Sequence, residues 1–257
     1  MLAHHRRDKI MDFLQEDGSA KVQDLAKLFK VTEVTIRQDL EKLEKEGLII
    51  REHGGAFLKD DTHHAKEISF AHLENLEKKE LIAQTCVNLI EDGDTIILDS
   101  GTTTTEIAKK LRGRQLTVIT NALNIALMLG AEHGIDVIVT GGEFKPPTLS
   151  LTGQKAADFF KGLNVQKLFL ATAGISLKSG LTYPSLSDIV VKRAMIDAAE
   201  TCYLVADSTK IGKTALASLG ALSLIDFIIT DNEIDEKHRQ LFRDHEIELI
   251  IADKENG

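Results

Sequence analysis

The sequence predicts an α/β protein in two parts, a small helical N-terminal part and a larger part built around a mostly parallel sheet. Up to about residue 58, apolar residues recur mainly at helical spacing. From residue 77 onward, short β-branched apolar runs alternate with helix-patterned segments. Such alternation favours a parallel sheet covered on both faces. We therefore expect domains at 1–58 and 75–257, joined by a polar linker at 59–74 without a clear period.

Composition limits the classes of function. The net charge of −9 shows that acidic residues outnumber basic ones. Nucleic-acid binding would therefore have to depend on a local basic surface. No apolar run approaches the roughly 18 residues of a membrane span, and the first residues are too polar for a signal peptide. Cys86 and Cys202 lie in apolar runs without metal-ligand spacing, so we expect buried, reduced thiols. We expect a cytoplasmic protein with no membrane partner and no metal site.

The N-terminal part predicts three short helices followed by a hairpin. The first helix carries Ile10 and Leu14, the second covers 22–29, and Thr32 caps the third, which ends near Gly47. The apolar residues assigned to the inner face of the third helix are Val34, Ile36, Leu40 and Leu43. Two short strands then flank a glycine turn. This order predicts a winged helix-turn-helix domain, whose second and third helices are joined by only a few residues.

The outward face of the third helix suits a major groove of double-stranded DNA. Arg37 is expected to read a guanine edge or clamp a phosphate, and Gln38 to pair with an adenine. Arg51 and His53 on the hairpin would reach the DNA backbone or the minor groove. Asp39 is expected to face outward as well. The predicted DNA contacts are Thr32, Glu33, Thr35, Arg37, Gln38, Arg51, His53 and Gly54. A three-helix protein-interaction module stays open, because the charge of this segment is near balance.

In the larger part, the stretch from Asp99 to Thr105 joins an apolar strand to a helix pattern at 106–111. A helix that starts at such a turn leaves N–H groups unpaired, and these together with the helix dipole favour an anion. Gly101 lets the backbone approach a ligand, and the threonine hydroxyls add donors. We expect a phosphate-binding loop. The alternative is an ordinary turn with a Ser/Thr N-cap, since the lysine of a P-loop is missing.

Ligands of parallel α/β sheets bind beyond the carboxyl ends of the strands. The predicted strands are 95–98, 116–120, 137–140, 167–171, 202–206, 227–230 and 249–252, with helices at 78–90, 106–111, 123–129, 187–199 and 235–243. Five of the strand ends are polar or rich in glycine, at 99–102, 120–121, 140–142, 173–174 and 207–210. Together they predict one shared pocket.

The N-terminal part resembles the DeoR family of bacterial transcriptional repressors. The matching residues are 22–26, 31–40, Leu43, Gly47 and 51–56, which cover the family's N-terminal signature nearly in full. The chain departs from the pattern at Gln38, where the family usually has a second arginine. The departure concerns base preference rather than the mode of binding.

From about residue 75 to the end, the chain is similar to the sensor domain of the same family. That domain resembles ribose-phosphate isomerases, glucosamine-phosphate isomerases and CoA transferases in fold. The residues that carry the resemblance are Asp99–Thr103, Thr120–Asn121, Gly141–Gly142, Gly153, Lys192 and Asp207–Lys210. The resemblance implies a small sugar-phosphate ligand whose binding changes the affinity for an operator.

The resemblance also implies roles for individual residues. The loop from Ser100 to Thr104 would hold the phosphate, Asp99 and Asn121 would take sugar hydroxyls, and Lys192 would add a positive charge. The predicted ligand contacts are Asp99, Ser100, Gly101, Thr102, Thr103, Thr104, Asn121, Gly141, Gly142, Lys192, Asp207 and Lys210. Ordinary alternatives stay open: a solvated lysine at 192, a turn cap at 207 and a tight strand exit at 141–142.

The expected function is therefore repression of a sugar or polyol catabolic operon under control of a phosphorylated sugar. We expect a homodimer or homotetramer formed through the larger domain, no cofactor other than this effector, and no catalytic residues. The rival is a phosphosugar isomerase-like enzyme with a fused DNA-binding domain, with Asp99, Glu143 or Asp207 as its general base. A third possibility is an architectural DNA binder without a ligand.

Overall fold

The computed structural model describes residues 3–17, 19–52, 54–58 and 74–253. The chain forms two compact units, Met1–Glu74 and Asn75–Gly257. His53 and residues 59–73 of the predicted linker lie outside the described residues. Among the helices that the structure describes, none combines the length and the apolarity needed to cross a bilayer.

The N-terminal unit is a winged helix-turn-helix, as the sequence predicts. Its elements are α1 (Ala3–Asp17), β1 (Ser19–Lys21), α2 (Val22–Phe29), α3 (Glu33–Lys45), β2 (Ile49–Glu52) and β3 (Gly55–Leu58). The three strands form an antiparallel sheet in the order β1-β3-β2. Strand β1 was not predicted, because three residues carry no usable period. Thr32 caps α3 as expected: its Oγ1 accepts a hydrogen bond from the Thr35 N–H at 3.3 Å.

Two predictions about α3 are wrong. Val34, expected inside, is 60% exposed. It lies about 200° around the helix from the buried Ile36, because successive residues turn by about 100°. Asp39, expected outside, is 4% exposed, and its Oδ2 accepts a hydrogen bond from Arg6 Nε of α1 at 2.5 Å. It lies about 60° from Ile36, at the border of the buried stripe, where the arginine compensates its charge.

We expect the Asp39–Arg6 pair to hold α1 against α3. Asp39→Ala would remove the carboxylate that pairs with the buried Arg6 guanidinium and should lower the free energy of unfolding of this unit by about 3 kcal/mol. Hydrogen exchange of α1 and α3 peptides in the full chain measures the loss. Glu41→Ala is the control, since it removes an exposed pair with Lys45 on the same helix. Equal loss of protection in the two variants would contradict the prediction.

The C-terminal unit contains a seven-stranded sheet in the order β15-β14-β12-β9-β4-β5-β6, and every neighbouring pair is parallel. Its strands are β4 (Thr95–Leu98), β5 (Leu116–Thr120), β6 (Ile135–Val139), β9 (Val165–Ala171), β12 (Ala199–Val205), β14 (Phe227–Asp231) and β15 (Glu248–Ala252). The helices around it are α4 (Leu76–Asn88), α5 (Thr102–Lys109), α6 (Leu123–Leu129), α7 (Gln154–Phe159), α8 (Leu186–Asp197) and α9 (Glu236–Asp244). The fold class and all seven predicted strands are confirmed.

The shorter elements of this unit escaped prediction. They are the antiparallel hairpin of β7 (Glu143–Lys145) and β8 (Ser150–Thr152), helix α7, and a small sheet of β10 (Gly174–Ser176), β11 (Gly180–Tyr183) and β13 (Ala217–Gly220). Strands of three or four residues show no distinguishable period, and the 6 residues of α7 make fewer than two helical turns. Helix α5 starts at Thr102 rather than near Glu106, since threonines are poor helix signals. Cys86 and Cys202 are free and buried, as expected.

The order of strands reverses between β4 and β9. From β4 the chain proceeds through β5 to β6 at one edge of the sheet, and from β9 through β12 and β14 to β15 at the other. Open parallel sheets bind ligands beyond the carboxyl ends of the strands at such a switch point. Asp99 directly follows β4, so the fold places it at the switch point.

Candidate functional site

Asp99 is the centre of the carboxyl edge of the sheet. It is fully buried, and Lys192 of α8, itself 5% exposed, donates to its Oδ1 at 2.7 Å and to its Oδ2 at 2.5 Å. The Ser100 N–H donates to Oδ1 at 2.7 Å, and the Ala171 N–H at the end of β9 donates to Oδ2 at 3.0 Å. Burial raises the pKa of Asp99, while the Lys192 charge and these N–H donors oppose the shift. The carboxylate thus joins β4, β9 and α8.

This pairing bears on the roles predicted for both residues. Lys192 is neither solvated nor exposed, so the alternative of a surface lysine is wrong. Its ammonium group lies 4.8 Å from the centre of the Tyr183 ring, and the Tyr183 hydroxyl donates to the Ala171 carbonyl at 2.8 Å. The charge of Lys192 compensates the buried Asp99 carboxylate. Direct contact of Asp99 and Lys192 with a ligand stays a prediction.

The loop after Asp99 has the features expected of an anion site. Gly101 is the N-cap of α5, and no side chain caps the helix, so the alternative of a Ser/Thr N-cap is wrong. A Cβ atom at position 101 would lie only 2.6 Å from Ala171 Cβ. Because the loop passes this close to the end of β9, a glycine is needed at this position. The hydroxyl of Thr104 donates to the Asp99 carbonyl at 2.6 Å and holds the loop in shape. The first-turn N–H groups of α5 remain for an acceptor from outside the loop.

Ser100, Thr102 and Thr103 lie around this uncapped turn. Ser100 and Thr102 are half-buried, and Thr103 is 6% exposed. The Thr104 hydroxyl donates only to backbone carbonyls of the loop, so its structural role is the better supported one. The phosphate contacts of all five loop residues stay predictions.

Several buried oxygen atoms at the same edge lack a hydrogen-bond partner among the described residues. They are Asn121 Oδ1, Thr140 Oγ1, Asp207 Oδ2 and Thr230 Oγ1. They lie at the carboxyl ends of β5, β6, β12 and β14, which in a parallel sheet share one edge. Buried polar atoms are nearly always paired, so each of these oxygens is a candidate acceptor for a donor supplied by water or a ligand.

The neighbours of these oxygens hold them in place. Asn121 Nδ2 donates to the Leu151 carbonyl of the β7–β8 hairpin at 3.0 Å, which leaves Oδ1 of the same amide for another partner. Asp207 Oδ1 accepts from the Thr209 N–H at 3.1 Å and from Asn75 Nδ2 at 3.4 Å. Asp207 therefore caps the short turn at 208–210, as the alternative reading expected, and still has one free carboxylate oxygen.

The structure gives less support for ligand contacts by the remaining predicted residues, Gly141, Gly142 and Lys210. Gly141 and Gly142 are exposed at the exit of β6, and a Cβ on Gly142 would lie 2.6 Å from the Thr152 carbonyl oxygen. Gly142 is thus explained by a tight strand exit. Lys210 is half-buried and forms no ion pair within the part of the chain that the structure describes. Sequence reasoning missed Thr230, which ends the predicted strand 227–230, and the buried Asp231, which directly follows it.

The predicted DNA-binding residues lie on α3 and the wing. Thr32, Arg37 and Gln38 are exposed, and Glu33 and Thr35 are half-buried. The Arg37 guanidinium donates to Glu33 Oε2 at 2.6 Å, so binding to a base or a phosphate would exchange this ion pair.

The wing residues show the same pairing. Arg51 Nε lies 2.7 Å from Glu44 Oε2, and the exposed Gly54 turns the chain with a φ of 84°. His53 lies outside the described residues. The DNA contacts of all these residues stay predictions.

One group of described residues has metal-ligand chemistry. His4, His5 and Asp8 on α1 are exposed, and their ligating atoms lie within 4.8 Å of one another. Exposed groups of this kind are common without a metal, so the expectation of no metal site stays a prediction.

We expect Lys192 to contribute to stability through Asp99. Lys192→Met would leave a buried carboxylate without its countercharge and should lower the free energy of unfolding of the C-terminal unit by about 3 kcal/mol. The double variant Asp99→Asn, Lys192→Met should recover part of this loss, because no charge remains buried. Denaturant unfolding followed by circular dichroism measures both variants.

Lys161→Met is the control, since it removes an exposed pair with Asp158. We expect little change. A loss as large as that of Lys192→Met, or no recovery in the double variant, would show that the buried pair does not account for the effect.

Comparisons with known proteins agree with both halves of the structure. Residues 6–62 match the DeoR-like helix-turn-helix domain, and residues 74–232 match the DeoR C terminal sensor domain. A putative aga operon transcriptional repressor from Escherichia coli O157:H7 is 34% identical, covering 96% of this chain and 93% of the relative. The HTH-type transcriptional repressor GlcR from Bacillus subtilis is 33% identical over 100% of this chain and 99% of its own.

A lactose phosphotransferase system repressor from Lactococcus lactis is 33% identical over 92% of this chain and 94% of the relative. Among solved structures, ribose 5 phosphate isomerase A from Neisseria gonorrhoeae overlaps 54% of each chain at a TM-score of 0.40 and 12% identity, which is too distant to bear on function. The two domain matches and the near full-length relatives show that this chain belongs to the DeoR family of DNA-binding transcriptional regulators.

Proposed function

We propose that the protein represses a sugar or polyol catabolic operon and that a phosphorylated sugar, bound at the carboxyl edge of the seven-stranded sheet, controls its affinity for DNA. The observation that carries the ligand part is the uncapped amino terminus of α5 at the switch point between β4 and β9. Relatives whose names describe repressors of the aga operon and of a lactose phosphotransferase system support the operon class.

The geometry supports separate places for the two halves of such a ligand. The first turn of α5 supplies N–H donors and the positive end of a helix dipole, which suit a phosphate. Asn121 Oδ1 and Asp207 Oδ2 supply acceptors, which suit sugar hydroxyls. Because Lys192 is committed to Asp99, Lys210 is the better candidate for the cation near the phosphate.

The same contacts argue against Asp99 as the general base of an isomerase. Both oxygens of the Asp99 carboxylate accept hydrogen bonds from Lys192 and from backbone N–H groups, so this carboxylate is poorly placed to remove a proton from a sugar. We propose a sensor that needs no cofactor, acts in the cytoplasm, and binds its operator as a homodimer or homotetramer. Helix-turn-helix proteins commonly read two half-sites with two copies.

A thermal-shift screen of phosphorylated sugars and polyols against the full chain tests the proposed effector class. We expect one phosphorylated compound to raise the unfolding temperature and its unphosphorylated parent to have no effect, since the phosphate occupies the α5 turn. The selected compound should change operator affinity by about 5–150-fold. The proposal would be contradicted if no compound changed the unfolding temperature or the operator affinity. It would also be contradicted if NMR showed that the protein converts the compound into a product.

Thr103→Val tests the phosphate loop. Loss of one hydrogen bond to a charged group should weaken binding of the selected compound by about tenfold or more. Isothermal titration calorimetry measures the change, and DNA binding should survive. Thr95→Val is the matched control, because it makes the same change at the opposite end of β4. An unchanged affinity in Thr103→Val would remove this hydroxyl from the site.

Arg37→Ala tests the separation of the two activities. It should weaken operator binding by about tenfold or more, through loss of a base contact worth 1–3 kcal/mol or of a phosphate contact. Binding of the effector should not change. Fluorescence anisotropy with a labelled operator and calorimetry with the effector measure the two. Equal losses of both would contradict the assignment of DNA binding to α3.

A further inference from the structure

The outward face of the recognition helix α3 carries an apolar residue at its N-terminal end. Val34 is 60% exposed in the first turn of the helix. Gln38, Glu41 and Lys45 follow it at spacings of four, seven and eleven residues, and all three are exposed. At about 100° per residue these four side chains form one stripe, with Arg37 at its flank. Val34 thus lies nearer the middle of the outward face than Arg37 does.

The position of Val34, rather than its exposure alone, is informative. Single exposed apolar residues are ordinary. However, the N-terminal residues of a recognition helix are the ones that contact base edges in the major groove. The other exposed large apolar residues described in this unit, Leu28 on α2 and Leu48 beyond the end of α3, lie off the stripe.

The polar neighbours of Val34 are engaged with each other. The hydroxyls of Thr32 and Thr35 lie 2.9 Å apart at the N-cap, and Glu33 holds Arg37. Val34 has neither a polar atom to satisfy nor a described partner that buries its branched methyl groups. It therefore offers the groove a rigid apolar surface at the tip of the helix.

We propose that Val34 is a specificity-determining residue that reads the C5-methyl group of thymine in the operator. Thymine is the one base that presents a methyl group in the major groove, so an apolar side chain there discriminates it from the other three. The contact needs no hydrogen bond and is therefore insensitive to the orientation of the neighbouring Arg37. It adds an A·T preference next to the positions assigned to Arg37 and Gln38.

The test uses the full chain and a duplex selected by it from a random-sequence library. Each thymine of that duplex is replaced in turn by uracil, which lacks only the methyl group. We expect the native protein to lose about fourfold in affinity at one thymine in each half-site, as for one methyl group returned to water. Val34→Ser should bind the thymine duplex more weakly than the native protein does. Its affinity should no longer change when thymine is replaced by uracil.

Two further variants separate specificity from general apolar contact. Val34→Thr keeps one methyl group and should keep most of the discrimination between thymine and uracil. Leu28→Ser makes the same kind of change at a similarly exposed position, 56% against 60%, and should show the native ratio. Unchanged binding of the native protein at every uracil position would overturn the proposal, as would a native ratio in Val34→Ser.

Discussion

The carboxyl edge of the C-terminal unit depends on the buried ion pair of Asp99 and Lys192. Burying two charges is costly unless the geometry is good and further hydrogen bonds satisfy the remaining atoms. Here the Ser100 and Ala171 N–H groups complete the carboxylate, with donor distances of 2.7 and 3.0 Å. The pair ties the end of β4 to β9 and to α8, and so fixes the turn from which α5 starts.

Once that turn is fixed, the polar groups around it divide by type. Donors are concentrated at the first turn of α5, where no side chain caps the helix. Unpaired acceptors lie at the ends of the flanking strands, with Asn121 on one side and Asp207 on the other. The proposed ligand carries an anionic group and several hydroxyls, which are the chemical complements of these two sets. Gly101 packs closely against Ala171, and because it has no side chain it leaves the backbone of the loop open to a ligand.

The N-terminal unit uses charge differently. The chain is acidic overall, with a net charge of −9, and the exposed cations Arg37 and Arg51 are paired with Glu33 and Glu44. If Arg37 and Arg51 contact DNA as predicted, binding exchanges these internal ion pairs for phosphate or base contacts. Exposed pairs of this kind are weak, so the exchange costs little. The buried Asp39–Arg6 pair is of another kind and belongs to the packing of α1 on α3.

The sequence by itself determined the elements whose signal is local. The β-branched runs of the seven strands, the Thr32 cap and the glycine at 101 are visible in the chain, because period, cap chemistry and backbone freedom are properties of short segments. It also determined which strand ends are polar, and hence at which edge of the sheet a ligand pocket is expected.

Only the tertiary structure decided which of those polar groups are still available. Lys192 turned out to neutralise Asp99 from 93 residues away, and Asn75 turned out to bond Asp207 across 132 residues. Asp39 lies inside rather than outside because it pairs with Arg6 of α1, 33 residues away, a partner that the apolar pattern of α3 does not reveal. The reason is the same in each case: whether a side chain is paired or free depends on partners distant in sequence, which local patterns cannot specify.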